Sequence, residues 1–259
     1  MLKLILFIKG EDSMKISNGV AMLELKVQGF VLNPTLIWDD ETAVLIDAGM
    51  PGQLEQIRAA MSEVGVSFDK LKAVILTHQD LDHIGGLPEI LKESTNRIEV
   101  YAHELDKPYI EGALPLIKTD PNRMSKEEWV SLPEEVRILY QNPPKVKVDK
   151  TVDDGQELPY CGGIRVIFTP GHTPGHISLY LKQSKILVAG DAMICVDGSL
   201  RGPVQKTTLD MNTALRSLEK CLNLDIESVI CYHGGICNDN VKNQLQHLVR
   251  QDGNAAEKK

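Results

Sequence analysis

The stretch "KAVILTHQDLDHIGG", residues 72–86, constrains the fold more than any other part of the chain. An apolar, β-rich run ends in four metal-seeking side chains, His78, Asp80, Asp82 and His83, packed into six consecutive positions and followed by Gly85 and Gly86. A short continuous apolar run of this kind reads as a buried strand. The two glycines allow a tight entry into the next helix. His78, Asp80 and Asp82 recur at two-residue spacing, so an extended segment puts them on one side, and His83 follows after the chain turns.

Three further strands end in polar clusters. "IRVIFTPGHTPGH" delivers His172, "KILVAGD" delivers Asp191, and "CYHGG" delivers His233. Strand ends let a rigid scaffold aim a ligand while leaving an open face for substrate. A lone histidine in such a place is usually structural, but four clusters in this order are not a coincidence to expect. Together they offer four histidines and three aspartates, a set that two divalent metals could share.

The rest of the chain shows what could carry such a set. Residues up to about 50 hold short β-rich runs, "VAMLELKVQGFVL", "PTLIW" and "AVLIDAG", with "DDET" as a hairpin turn. Leu54, Ile57, Met61 and Val64 then fall at helical spacing. The second half repeats the alternation, with Met211, Leu215, Leu218 and Leu222 marking one helix and Val241, Leu245 and Leu248 another. Two β-rich halves, each followed by helices, predict an α/β fold of two stacked mixed sheets with helices outside. At 259 residues and 42% hydrophobic, the chain fits a single domain, 1–259. Residues from about 108 to 145 are charged and proline-punctuated and read as a helical insertion, either a peripheral excursion or a cover over substrate.

At these residues the chain resembles the metallo-β-lactamase fold superfamily, including its glyoxalase II-like thioesterases and lactonases, with an HxDxDH variant of the metal motif. The resemblance runs from "VLIDAG" to "CYHGG" and implies a four-layer αβ/βα sandwich. It implies that His78, Asp80 and His172 hold one metal, that Asp82, His83 and His233 hold the other, and that Asp191 bridges. Asp47 would orient a histidine ligand by accepting its distal N–H, and His176 would support its loop. The expected cofactor is a pair of divalent ions, zinc first, with manganese or iron made more competitive by the carboxylate of Asp80. A metal-bridged hydroxide would attack a small ester, thioester, lactone or related bond, and Asp82 would pass a proton to the leaving atom.

Two other readings stay open. One is a di-iron or manganese redox enzyme of the same fold, although the chain leaves no room for an appended flavin domain. The other is a non-catalytic metal-binding module. Among the hydrolases, Ile194 stands where the lactonases usually place a tyrosine, and the chain stops too soon after His233 for the usual glutathione-binding segment of glyoxalase II.

The formal charge of −8 disfavours nucleic acid. The five cysteines are odd in number and form no CxxC pair, as expected of reduced cytoplasmic thiols, and Cys195, Cys231 and Cys237 read as small buried hydrophobes. No stretch is apolar enough to span a membrane. "MLKLILFI" reads as an edge strand or an extension ahead of Met14. His103 reads as structural or rim-lining and His247 as facing solvent. Arg201 and Lys206 are the cations weighed for an anionic substrate group. The expected partner is a small molecule, and a homodimer is left open.

Overall fold

The computed structural model describes residues 13–27 and 29–256, so the reading of "MLKLILFI" falls outside the described residues. The first half begins with β1 (Ser13–Ser17) and β2 (Val20–Leu23), followed by a small hairpin of β3 (Leu25–Val27) and β4 (Phe30–Leu32), then β5 (Thr35–Trp38) and β6 (Ala43–Ile46). Helix α1 (Leu54–Glu63) leads to β7 (Leu71–Ile75), and α2 (Leu81–Ile84) and α3 (Leu87–Glu93) lead to β8 (Glu99–His103). Helices α4 (Lys107–Ile110), α5 (Lys126–Ser131) and α6 (Glu134–Gln141) precede β9 (Lys150–Val152).

The second half comprises β10 (Glu157–Leu158), β11 (Ile164–Phe168), β12 (Ile177–Leu181), β13 (Ile186–Gly190), a hairpin of β14 (Ile194–Val196) and β15 (Ser199–Arg201), α7 (Met211–Ser217), β16 (Ser228–Cys231), β17 (Gly235–Cys237) and α8 (Val241–Ala256).

Two mixed sheets result. The first has seven strands in the order β1-β2-β5-β6-β7-β8-β9, and the second has six in the order β10-β11-β12-β13-β16-β17. In the first sheet the pairs β6/β7, β7/β8 and β8/β9 are parallel. In the second, β13/β16 is the parallel pair.

Alternation along the strands sorts the apolar residues into layers. Val44, Ile46, Ala73 and Ile75 of the first sheet meet Val166, Leu179, Val188 and Ile230 of the second between the sheets. The intervening Leu45 and Val74 turn outward onto Ile57 and Met61 of α1 and Ile90 of α3. Leu187 and Val229 do the same on the other side, against Leu218 and against Leu245 of α8. The order of layers is therefore helix, sheet, sheet, helix, as the sequence predicts. Among the described residues no helix is long and apolar enough to cross a membrane.

Candidate metal centre

All the polar strand ends meet at one edge of the sandwich. The run after β7 departs from the extended reading at Asp80, which has β-region backbone and stands immediately before α2. His78 and Asp80 remain on the extended part, whereas Asp82 and His83 sit in the first turns of α2. This break divides one short stretch between two ligand groups. His78, Asp80, His172 and Asp191 form the first set and Asp82, His83 and His233 the second, each with ligand atoms within 4.8 Å of one another.

Asp191 stands between the sets. One of its oxygens lies 3.3 Å from His172 Nε2 and 3.4 Å from His233 Nε2, and the other lies 3.3 Å from His83 Nε2. His233 Nε2 is 3.3 Å from the Asp82 carboxylate. Gly234, directly after His233, takes φ +92°, and a Cβ there would fall 1.8 Å from the Cys195 carbonyl oxygen, so this turn requires glycine.

The orientation of each histidine follows from what its other nitrogen meets. Asp47, itself at φ 62°, accepts from the Thr77 amide at 2.8 Å, the Thr77 hydroxyl at 2.7 Å and His83 Nδ1 at 2.8 Å. Because the Thr77 hydroxyl proton goes to Asp47, Thr77 Oγ1 accepts from His78 Nδ1 at 3.0 Å. Thr208 likewise donates to the Val204 carbonyl and accepts from His172 Nδ1 at 3.3 Å. In its neutral form each of the three rings therefore carries its proton on Nδ1 and turns the Nε2 lone pair inward, the arrangement that metal-ligating imidazoles need.

The fit to a metal shows in the atoms left over. His78 Nε2, His83 Nε2 and Asp191 Oδ1 are buried without a hydrogen-bond partner among the described residues, although oppositely charged or polar groups stand close by. His83 Nε2 and Asp191 Oδ1 lie 3.3 Å apart and His78 Nε2 lies 3.1 Å from Asp80 Oδ2, a crowding of buried polar atoms that is costly unless a cation completes the group.

The electrostatics of the metal-free cluster agree. Burial opposes charge at His83, but Asp47, Asp82 and Asp191 outweigh it and hold the imidazole well above its ordinary value. His233 is also opposed by burial, and its hydrogen bonds to Asp191 and Asp82 push it up to about 9. Burial would raise the Asp80 and Asp191 carboxyls, yet the surrounding histidines hold both well below the usual range.

A profile of the metallo-beta-lactamase superfamily matches residues 28–233. This chain belongs to the metallo-β-lactamase superfamily. Among its relatives in that superfamily, the probable metallo-hydrolase YflN of Bacillus subtilis is 34% identical over 221 residues, covering 80% of this chain and 81% of that protein. The hydroxyacylglutathione hydrolase GloC of Haemophilus influenzae is 30% identical over 173 residues, covering 65% and 70%. A solved metallo-β-lactamase family protein, TTHA1429 of Thermus thermophilus, shares the fold with a TM-score of 0.69 at 22% identity, covering 94% of this chain and 82% of that one.

The other candidate residues lie outside both sets. His176 belongs to neither set: its Nε2 accepts from the Asp191 amide at 2.9 Å and its Nδ1 meets Thr169 Oγ1, so it supports the bridging residue's backbone. His103 is buried, stacked on Phe168 at 4.3 Å. His247, Arg201 and Lys206 are exposed. Cys195, Cys231 and Cys237 are buried free thiols, and Cys195 donates to the Ile236 carbonyl.

Sequence reading missed three groups at the centre. Thr77 and Thr208 fix ring tautomers, and Lys118, from the segment between α4 and α5, places Nζ against Asp80 Oδ2 and 2.5 Å from His172 Nε2. The segment between α4 and α6 therefore reaches the centre. Tyr140 of α6 comes near as well, its phenol pushed up by burial and then by the Asp82 charge. An open groove lined by Met22, Phe30, Val31 and Ile236 also reaches His233.

Proposed function

We infer that this superfamily hydrolase uses two divalent metal ions, zinc in the first instance, to cleave a small ester, thioester, lactone or related bond. His78, Asp80 and His172 would hold one ion and Asp82, His83 and His233 the other, with Asp191 shared. The observation that carries this reading is the convergence of Nε2 lone pairs whose Nδ1 protons are already committed, beside a buried carboxylate oxygen without a partner. Ions bound there supply Lewis acidity toward a carbonyl or phosphoryl oxygen and make hydroxide available near neutral pH.

The chain's own groups supply the rest. Asp47, Thr77 and Thr208 hold the rings in register before substrate arrives, so no reorganisation is needed at the moment of reaction. Asp82 is the most accessible of the three central carboxylates, with 26% of its side chain exposed against 12% for Asp80 and Asp191. That places it to hand a proton to the leaving atom. Phe30 and Val31, both exposed beside His233, offer apolar surface for an acyl group. Three carboxylates in the donor set also make manganese or iron stronger competitors than a histidine-richer set would.

The name of the GloC relative makes a thioester the first class to test. The experiment is a metal-replete screen across thioesters, esters, lactones, β-lactams and phosphodiesters. Asp82→Asn is expected to lower kcat on the preferred substrate by about 100-fold or more. Full turnover in that variant, or no turnover of any class by metal-replete protein, would sink the reading. An iron centre visible by absorbance in purified protein would favour the redox alternative instead.

A further inference from the structure

Lys118 sits in the first ligand set like a ligand's counter-ion. Its Nζ contacts Asp80 Oδ2 and lies 2.5 Å from His172 Nε2, two of the donor atoms of that set. Asp80 Oδ2 is meanwhile 3.1 Å from His78 Nε2 and 3.0 Å from His172 Nε2, so two ring nitrogens and an ammonium crowd one carboxylate oxygen. Among the described residues the second set shows no such lysine, and Asp82 is paired there with the imidazoles of His83 and His233.

The position is built, not incidental. The Ile117 amide donates to Gln79 Oε1 at 2.9 Å, which ties the backbone beside Lys118 to the residue between His78 and Asp80. Gln79 in turn donates from its amide and side chain to the fully buried Asp106 carboxylate, which also accepts from Thr173 Oγ1 and the Gly175 amide next to His172. One carboxylate thus fixes both ligand loops and, through Gln79, the strand of chain that presents Lys118. Only 18% of the lysine side chain is exposed.

Charge gives the arrangement a purpose. With two divalent ions (+4), the three aspartates of the two sets (−3) and a hydroxide (−1), the loaded centre would sum to zero without the Lys118 ammonium. In the absence of metal the same ammonium neutralises Asp80. A cation already held against Asp80 and His172 must give way before a divalent ion can use the same atoms, because like charges a few ångströms apart in a buried site repel strongly.

We propose that Lys118 is the resident cation of the first ligand set, so that an ion at His78–Asp80–His172 enters only by displacing the lysine. The proposal rests on the two-ion reading above, and the test separates the two. Metal-free protein is titrated with zinc against a chromophoric chelator, comparing the native chain with Lys118→Met and Lys118→Gln, each checked for native folding by circular dichroism.

The native chain is expected to show two steps, and the variants are expected to tighten one of them by about tenfold or more while leaving the other in place. One ion in the native chain and two in the variants would also support the lysine's role, while removing the two-ion state from the native enzyme. Two steps unchanged within twofold in both variants would overturn the proposal and leave the two-ion reading standing. One ion in native and variants alike would overturn both. A double-mutant cycle adds a second readout: Asp80→His alone strands the ammonium beside an imidazole and should weaken zinc at the first set, and adding Lys118→Met should restore it. Additive effects of the two substitutions would contradict the pairing.

Discussion

Asp47 shows how a single residue sets the chemistry of a centre it does not line. It accepts three hydrogen bonds, from the Thr77 amide, the Thr77 hydroxyl and His83 Nδ1, and through Thr77 it also governs His78. Replacing it with alanine frees two of the rings at once, and Asp47→Ala is expected to weaken metal affinity by about 10- to 100-fold, measured by competition with a chelator. Affinity within twofold of native would show that Thr77 alone suffices. The seven side chains that converge here were legible in the sequence because their clusters follow strand ends. Thr77, Thr208 and Lys118 were not, because a threonine or lysine carries no metal signature and their partnerships are made by the fold, Lys118 meeting Asp80 across 38 positions and His172 across 54.

Loops that carry the ligands are joined to one another more firmly than their polar composition suggests. Asp106, just before α4, accepts from Gln79 twice, from Thr173 and from Gly175, and is wholly buried. Removing it would leave four buried donors without an acceptor, so Asp106→Ala is expected to cost about 3–5 kcal/mol in denaturant unfolding. A loss below about 1 kcal/mol would mean that water replaces the carboxylate. The turn at Gly234 makes the opposite kind of demand, steric rather than polar. Its φ of +92° and the 1.8 Å approach to the Cys195 carbonyl mean that Gly234→Ala must shift β14 or His233. That variant is expected to lose metal at the second set more than at the first, a difference that stepwise titration resolves. Helix and strand order were readable from periodicity, but the break at Asp80 that separates the two sets was not. Two-residue spacing looks the same whether the strand continues or a helix begins two residues on.

At the scale of the whole molecule, the centre joins two halves that also meet through apolar packing between the sheets and through hydrogen bonds such as those of Asp106 to Thr173 and Gly175. His78, Asp80, Asp82 and His83 come from the first sheet's side, and His172, Asp191 and His233 from the second's. Metal bound between them stabilises the folded chain by mass action, and a chelator should lower Tm measurably. The pH dependence of that drop has a definite sign. In the metal-free chain His83 and His233 bind protons more tightly than the ordinary imidazole value of 6.5, His233 up to about 9. The pairing of His233 with carboxylates therefore contributes fully below about 6.5 and is lost as pH rises through about 9, and that of His83 is lost only above its own raised value. Asp80 and Asp191, held below the ordinary carboxylate value, contribute above that value and lose their contribution only as the pH falls through their lowered ones. Between these pH limits the loaded protein needs no imidazolium, since the ions replace the protons they displace. The gap in Tm between loaded and chelated protein should therefore widen from pH 6.5 to pH 9, with protons released on metal binding in calorimetry across buffers of different ionisation enthalpy. A gap that stays flat or narrows over that range, with no proton release, would show that the two imidazoles are not charged in the metal-free fold.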